Sequence, residues 1–131
     1  MQTETMIIIV VDDDEAVRDS LRVSLEAAGH VVETYSSGAD FLGAVIAGRR
    51  GCLVLDLHMP DLNGVEVLKA LQRDRIALPA ILITGHADDK MKADATRAGA
   101  VAIIDKPIRA ELLLETINCI LEFSSPAPAS R

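Results

Sequence analysis

Five short apolar runs constrain this chain more than any other feature: Ile7–Val11, Val31–Tyr35, Cys52–Leu55, Ala80–Ile83 and Val101–Ile104. Four of the five are rich in Ile and Val and run continuously rather than alternating with polar residues. A strand with one wet face alternates, whereas a continuous run suits a strand covered on both faces, as in a parallel sheet. Helical patterns lie between the runs. Val17, Leu21, Leu25 and Ala28 share one helical face; Phe41, Leu42, Val45 and Ile46 a second; Val65, Leu68 and Leu71 a third; Leu113, Ile117, Ile120 and Leu121 a last. Asp88–Ala98 is alanine-rich and charged, with Met91 and small residues alone to bury, and is the weakest helical pattern.

The punctuation agrees. Ser37 with Asp40, and Asn63 with Glu66, have the spacing of capping boxes. Gly29 and Gly99 follow alanine-rich helix ends, where a left-handed residue closes the last turn. The expected fold is α/β: a (βα)5 doubly wound domain with right-handed crossovers and a parallel five-stranded sheet in the flavodoxin-like order 2-1-3-4-5. It is expected to occupy residues 1–123. Residues 124–131, Ser-Ser-Pro-Ala-Pro-Ala-Ser-Arg, lack apolar periodicity and read as a tail or the start of a linker.

Composition removes several classes of function. Half of the 131 residues are apolar, enough for a core and too many for a disordered chain. A net charge of −7 disfavours direct binding to nucleic acid or to anionic membrane surfaces. At 2% aromatic residues there is no stacking platform for single strands. No apolar run approaches the roughly 18 residues of a membrane span. Met6–Val11 is followed at once by acids, unlike a signal peptide. Cys52 and Cys119 form neither a disulfide framework nor a metal motif, and each is expected to be a small buried hydrophobe. The expected compartment is the cytoplasm.

Ligands of open parallel sheets bind at the carboxyl ends of the strands. Those ends carry Asp12-Asp13-Asp14-Glu15 after the first run, Asp56 after the third, Thr84-Gly85-His86 after the fourth and Asp105-Lys106-Pro107 after the fifth. In the 2-1-3-4-5 order the first and third strands are neighbours, so their carboxylates converge. Clustered carboxylates need a cation, and hard oxygen donors suit Mg²⁺ rather than Zn²⁺. A hydroxyl, Thr84, and an ammonium, Lys106, at the same edge are groups that stabilise a phosphoryl group. The set fits phosphoryl transfer onto a carboxylate. No Ser or Cys stands beside a histidine base, so hydrolytic acyl transfer does not fit. Asp14 and Glu15 suit the start of a helix rather than a metal site. Asp61 and Asn63 read as turn residues beside Pro60. An acid directly after Cys52–Leu55 has no evident structural reason.

The segments VVDDDEAVRDSL, LDLHMPDLNGVEVL, ITGHADD, AGA and DKP resemble a response-regulator receiver domain of two-component signalling, specifically the FixJ-type subfamily. The resemblance spans about Ile7 to Phe123. It implies that Asp56 is the phosphoacceptor, that Asp13 binds Mg²⁺ (or Mn²⁺) directly, and that Asp12 holds metal-bound water. Asp56 and the main-chain carbonyl of His58 complete the implied metal set. Thr84 resembles the switch hydroxyl and Lys106 the cation that pairs with the phosphoryl group. The Lys106-Pro107 bond is expected to be cis, aiming the lysine inward. Gly85 leaves room for a phosphoryl donor, and His58 and His86 stand at the two positions that tune phosphate lifetime. The chain departs from the family at Ile103, where Tyr or Phe is usual, and at Ile108, where Phe is common.

The implied function is acceptance of a phosphoryl group from a sensor histidine kinase, in a Mg²⁺-dependent reaction. The face formed by the fourth helix, fifth strand and fifth helix then switches. The chain is expected not to be an enzyme acting on a free substrate; it phosphorylates and dephosphorylates only itself. A phosphorylation-dependent homodimer is expected, with Lys90, Lys92, Asp94, Arg97, Arg109 and Glu111 on or near the switching face. Transcription is controlled through an output domain, which alone touches DNA; no membrane is involved. The alternative is an interaction module that never uses phosphate. A phosphatase with an aspartyl nucleophile is a further rival, but it usually needs a second acid where His58 stands.

Overall fold

The computed structural model describes residues 6–44, 50–86 and 88–124. Strands and helices alternate: β1 (Ile7–Val11), α1 (Glu15–Ala27), β2 (Val31–Tyr35), α2 (Gly38–Ala44), β3 (Gly51–Asp56), α3 (Gly64–Arg73), β4 (Ala80–Thr84), α4 (Asp89–Arg97), β5 (Ala100–Asp105) and α5 (Ala110–Ser124). All strand pairs are parallel, in the order β2-β1-β3-β4-β5. This is the expected flavodoxin-like sheet. Val45 and Ile46 of the second helical pattern, and residues 125–131 of the proposed tail, lie outside the described residues; α5 includes Ser124.

Successive strand residues point to opposite faces, and the core divides on that rule. Ile9, Val11, Leu53, Leu55 and Leu82 pack on one face with Phe41 of α2, Val67, Leu68 and Leu71 of α3 and Ala95 of α4. Ile8, Val10, Cys52, Val54, Ile81 and Ile83 pack on the other with Leu21 and Leu25 of α1 and Leu113 and Ile117 of α5. Every residue of β3 and β4 is buried. Burial of each such Leu or Ile contributes about 1.5–3 kcal/mol, so these layers are the main source of stability. The edge strands differ from the continuous-run expectation: Val31 of β2 is 50% exposed and Val101 of β5 is 56% exposed. A strand at the sheet margin has a neighbour on one side alone, and helices cover its faces incompletely.

The helix ends follow their local chemistry. Asp14 caps α1, accepting from Ala16 N at 2.9 Å. Asn63 and Glu66 form a complete capping box at α3. At α2 the Asp40 N–H donates to Ser37 Oγ at 3.0 Å, while the Asp40 carboxylate accepts from Ser36 rather than closing a box. Asp88 caps α4, the weakest pattern in the sequence, through Met91 N at 2.8 Å. Gly29 (φ 96) and Gly99 (φ 111) take the left-handed positions expected of them. Arg75 takes the same position after α3 with φ 59. A side chain there crowds the backbone, so Arg75→Gly should raise stability by up to about 1 kcal/mol in a denaturant titration, net of the entropy glycine adds to the unfolded chain.

Gly51 has φ 150, and a Cβ built on it would lie 1.9 Å from the Ile7 carbonyl oxygen. No side chain fits without separating β1 from β3. Gly51→Ala is expected to cost more than about 3 kcal/mol in chemical denaturation.

One expectation about the cysteines fails. Cys52 is buried, and burial pushes its thiol up to about 12, but Cys119 is exposed. Helix α5 buries Leu113 and Ile117. Cys119 stands two residues beyond Ile117, about 200° around the helix, on its outer face.

Candidate functional site

The sheet register brings the polar strand ends to one edge. Val11 pairs with Leu55, Asp56 with Ile83 and Thr84 with Asp105, so the residues ending or following β1, β3, β4 and β5 are level. Asp12, Asp56 and Thr84 are the buried polar side chains among the described residues, at 3%, 4% and 0% exposure. Asp13 is exposed beside them. A carboxylate oxygen from each of Asp12, Asp13 and Asp56 can be chosen so that all lie within 4.8 Å of one another. Lys106 Nζ reaches in from the β5–α5 connection, 3.6 Å from Asp56 Oδ1 and 3.8 Å from Asp12 Oδ2. Its main-chain N–H donates to the Thr84 carbonyl at 2.8 Å, and the Lys106-Pro107 bond is cis.

Electrostatics mark Asp56 as the unusual group. Burial, and then the neighbouring Asp12 carboxylate, push it from 3.8 to about 6, while Lys106 and the His58 N–H oppose the rise. Burial also raises Asp12, against the Asp14 N–H and Lys106. One ammonium does not balance three converging carboxylates. The donor set is all hard oxygen, with no thiolate or imidazole in the cluster, and fits Mg²⁺ or Mn²⁺ rather than a softer ion.

The surrounding loops are tied down by hydrogen bonds. Asp12 Oδ1 accepts from Asp14 N at 2.9 Å, and the Asp12 carbonyl accepts from Arg18 Nη1 at 2.8 Å. His58 N faces Asp56 Oδ1 at 3.4 Å. His86 N donates to Thr84 Oγ1 at 3.1 Å, and His58 Nε2 lies 2.8 Å from the His86 carbonyl oxygen. Gly85 is exposed, and a Cβ there would meet Lys106 Cδ at an ordinary 3.7 Å; its own neighbours therefore do not demand glycine. Ile103 is half-buried against the α2–α3–α4 face of the core, and Ile108 against the α1–α5 face.

Asp12, Asp13, Asp56, Thr84 and Lys106 thus converge as the sequence predicts. The contact between His58 and His86 was not anticipated, and neither were two others. Arg18 clamps the acidic loop from α1, one helical turn after the capping Asp14, and that spacing was the available signal. Asp61 is more than a turn residue: its carboxylate accepts from Ala39 N, across 22 residues at the start of α2, at 3.0 Å.

The response regulator receiver domain model matches residues 8–118. The chain belongs to the response regulator receiver family. This receiver is 44% identical over 109 residues to the transcriptional regulatory protein FixJ of Rhizobium meliloti, covering 83% of this chain and 53% of that protein. It is 37% identical over 124 residues to the response regulator protein TodT of Pseudomonas putida, covering 95% of this chain and 55% of that protein. The receiver therefore spans little more than half the length of these relatives. Among solved structures it resembles FixJ-N, with a TM-score of 0.81, 39% identity and coverage of 96% of this chain and 99% of that one. The response regulator StyR superposes with a TM-score of 0.86 and 37% identity, over 92% of this chain and 61% of that one. No helix among the described residues is long and apolar enough to cross a membrane.

Proposed function

We propose that this receiver accepts a phosphoryl group on Asp56 from a phosphohistidine of a sensor kinase and converts it into a change of its α4–β5–α5 face. The observation that carries the reading is the buried Asp56 carboxylate held 3.6 Å from Lys106 Nζ in an acidic cluster that is short of positive charge. An Asp56 oxygen attacks the phosphorus, the phosphorus–nitrogen bond breaks, and its electron pair stays with the departing imidazole. Lys106 offsets the negative charge on the phosphoryl oxygens, and the Thr84 hydroxyl donates to one of them. A magnesium ion held by Asp12, Asp13, Asp56 and the main-chain carbonyl of His58 supplies further positive charge when bound. Slow hydrolysis of the acyl phosphate resets the domain, which turns over no free substrate.

The output is binding. Val101 on β5 and Leu112 on α5, at 56% and 45% exposure, leave apolar surface on two elements of that face, and Lys90, Lys92, Asp94, Arg97, Arg109 and Glu111 lie in or next to α4 and α5. Exposed apolar residues on elements that also carry both charge signs suit pairing with a second copy. The receiver runs to the end of α5 at Ser124, one residue beyond the boundary expected from the sequence, and the residues after it act as the start of a linker. The greater length of FixJ and TodT, and FixJ's name as a transcriptional regulatory protein, support an output domain that controls transcription; in this reading that domain alone contacts DNA and the protein works in the cytoplasm.

Beryllofluoride with Mg²⁺ tests the reading. It should bind, and sedimentation at micromolar concentration should shift from monomer toward dimer. Absence of binding favours a module that never uses phosphate, and binding by a strict monomer removes the homodimer.

A further inference from the structure

His58 Nε2 lies 2.8 Å from the main-chain oxygen of His86. A carbonyl oxygen can only accept, so Nε2 carries the proton and the imidazole donates. The other end of His86 is also held, its N–H donating to Thr84 Oγ1 at 3.1 Å. The main-chain N–H of His58 faces Asp56 Oδ1 at 3.4 Å. A hydrogen-bonded path thus runs from Asp56 through His58 and His86 to Thr84. It joins the β3–α3 loop to the β4–α4 loop across 28 residues of sequence. Both histidines are exposed, so neither ring is there to fill the core.

We infer that the His58 side chain is a positioning residue, a tether that holds the start of the β4–α4 loop to the β3–α3 loop in the arrangement described above and opposes its rearrangement on switching. This rests on the reading above, in which Asp56 is phosphorylated and Thr84 turns to meet the phosphoryl group. His86 is pinned at its N–H by Thr84 and at its carbonyl by His58. Drawing the Thr84 hydroxyl toward Asp56 therefore moves His86 relative to the β3–α3 loop. A hydrogen bond of this length is lost once the partners separate by under about 1 Å more. A bond made in this arrangement and lengthened by that motion favours the arrangement in which it is made, and so works against the motion. An exposed hydrogen bond of ordinary strength shifts such an equilibrium about two- to tenfold.

The test compares wild type, His58→Ala and His58→Gln in beryllofluoride titrations at saturating Mg²⁺. Both variants keep the main-chain carbonyl of residue 58, and glutamine retains an N–H donor at a reach similar to Nε2. His58→Ala should bind beryllofluoride about two- to tenfold more tightly, with His58→Gln returning toward wild type. In the metal-free protein, hydrogen exchange at the His86 amide should quicken by a similar factor in His58→Ala and recover in His58→Gln. Equal or weaker beryllofluoride binding by His58→Ala, or His58→Gln behaving as His58→Ala, overturns the tether while leaving the phosphoacceptor reading intact. Wild-type protein that binds no beryllofluoride overturns the phosphoacceptor reading, and the tether with it.

Discussion

Asp56→Asn is expected to abolish phosphoryl uptake while leaving the fold intact. The amide keeps the shape of the carboxylate but is too weak a nucleophile to attack phosphorus. Asp56 sits at the end of the fully buried β3, where a residue of another shape would disturb Leu57 and Ile83. The same substitution should stabilise the metal-free protein near neutral pH. Burial and Asp12 push the carboxyl to about 6, so the folded state carries an ionised group it disfavours. Relief of that charge is of order 1–3 kcal/mol, reduced by the partner Lys106 loses. Acetyl phosphate labelling and a urea titration at pH 7 measure the two effects. Labelling at the wild-type rate would move the phosphoacceptor to another residue.

Stability without divalent ions should fall as pH rises through the window between the ordinary carboxylate value of 3.8 and the folded Asp56 value of about 6. In that window the folded state binds more protons than the unfolded one, and the slope of stability against pH is then negative. The raised Asp12 adds in the same direction. Asp61 acts oppositely: the Ala39 N–H holds its carboxyl below the usual range, so its contribution is present above that range and lost as pH falls through it. The difference in unfolding free energy between wild type and Asp56→Asn isolates the Asp56 part. Mg²⁺ should reverse the loss above pH 6, by about 2.7 kcal/mol at a hundredfold excess over its dissociation constant. A difference that does not change between pH 4 and 7, with or without Mg²⁺, would contradict this electrostatic account.

The fold was legible because its determinants are local and periodic. The runs Ile7–Val11, Cys52–Leu55 and Ala80–Ile83 announce strands buried on both faces, and Asn63 with Glu66 announces α3. The acids, Thr84 and Lys106 were legible because a parallel sheet levels its strand ends, turning sequence position into spatial proximity. Contacts that depend on a particular side-chain direction between distant loops were not. Asp61 reaches Ala39 and His58 reaches His86, pairings for which neither composition nor periodicity carries a signal. The exposed Cys119 was misread because an apolar stretch such as Ile117–Leu121 does not itself say which side of α5 faces the sheet. The edge position of β5 similarly leaves Val101 exposed within an apolar run.

Asp56 is the proposed phosphoacceptor. The most direct test is to treat the protein with acetyl phosphate and Mg²⁺, then locate the modification by mass spectrometry after reductive trapping of the acyl phosphate. The expected result is one phosphoryl group per chain, dependent on the divalent ion, labile to hydroxylamine and mapped to Asp56. No mass increase, or a stable phosphoryl group on another residue, would contradict it.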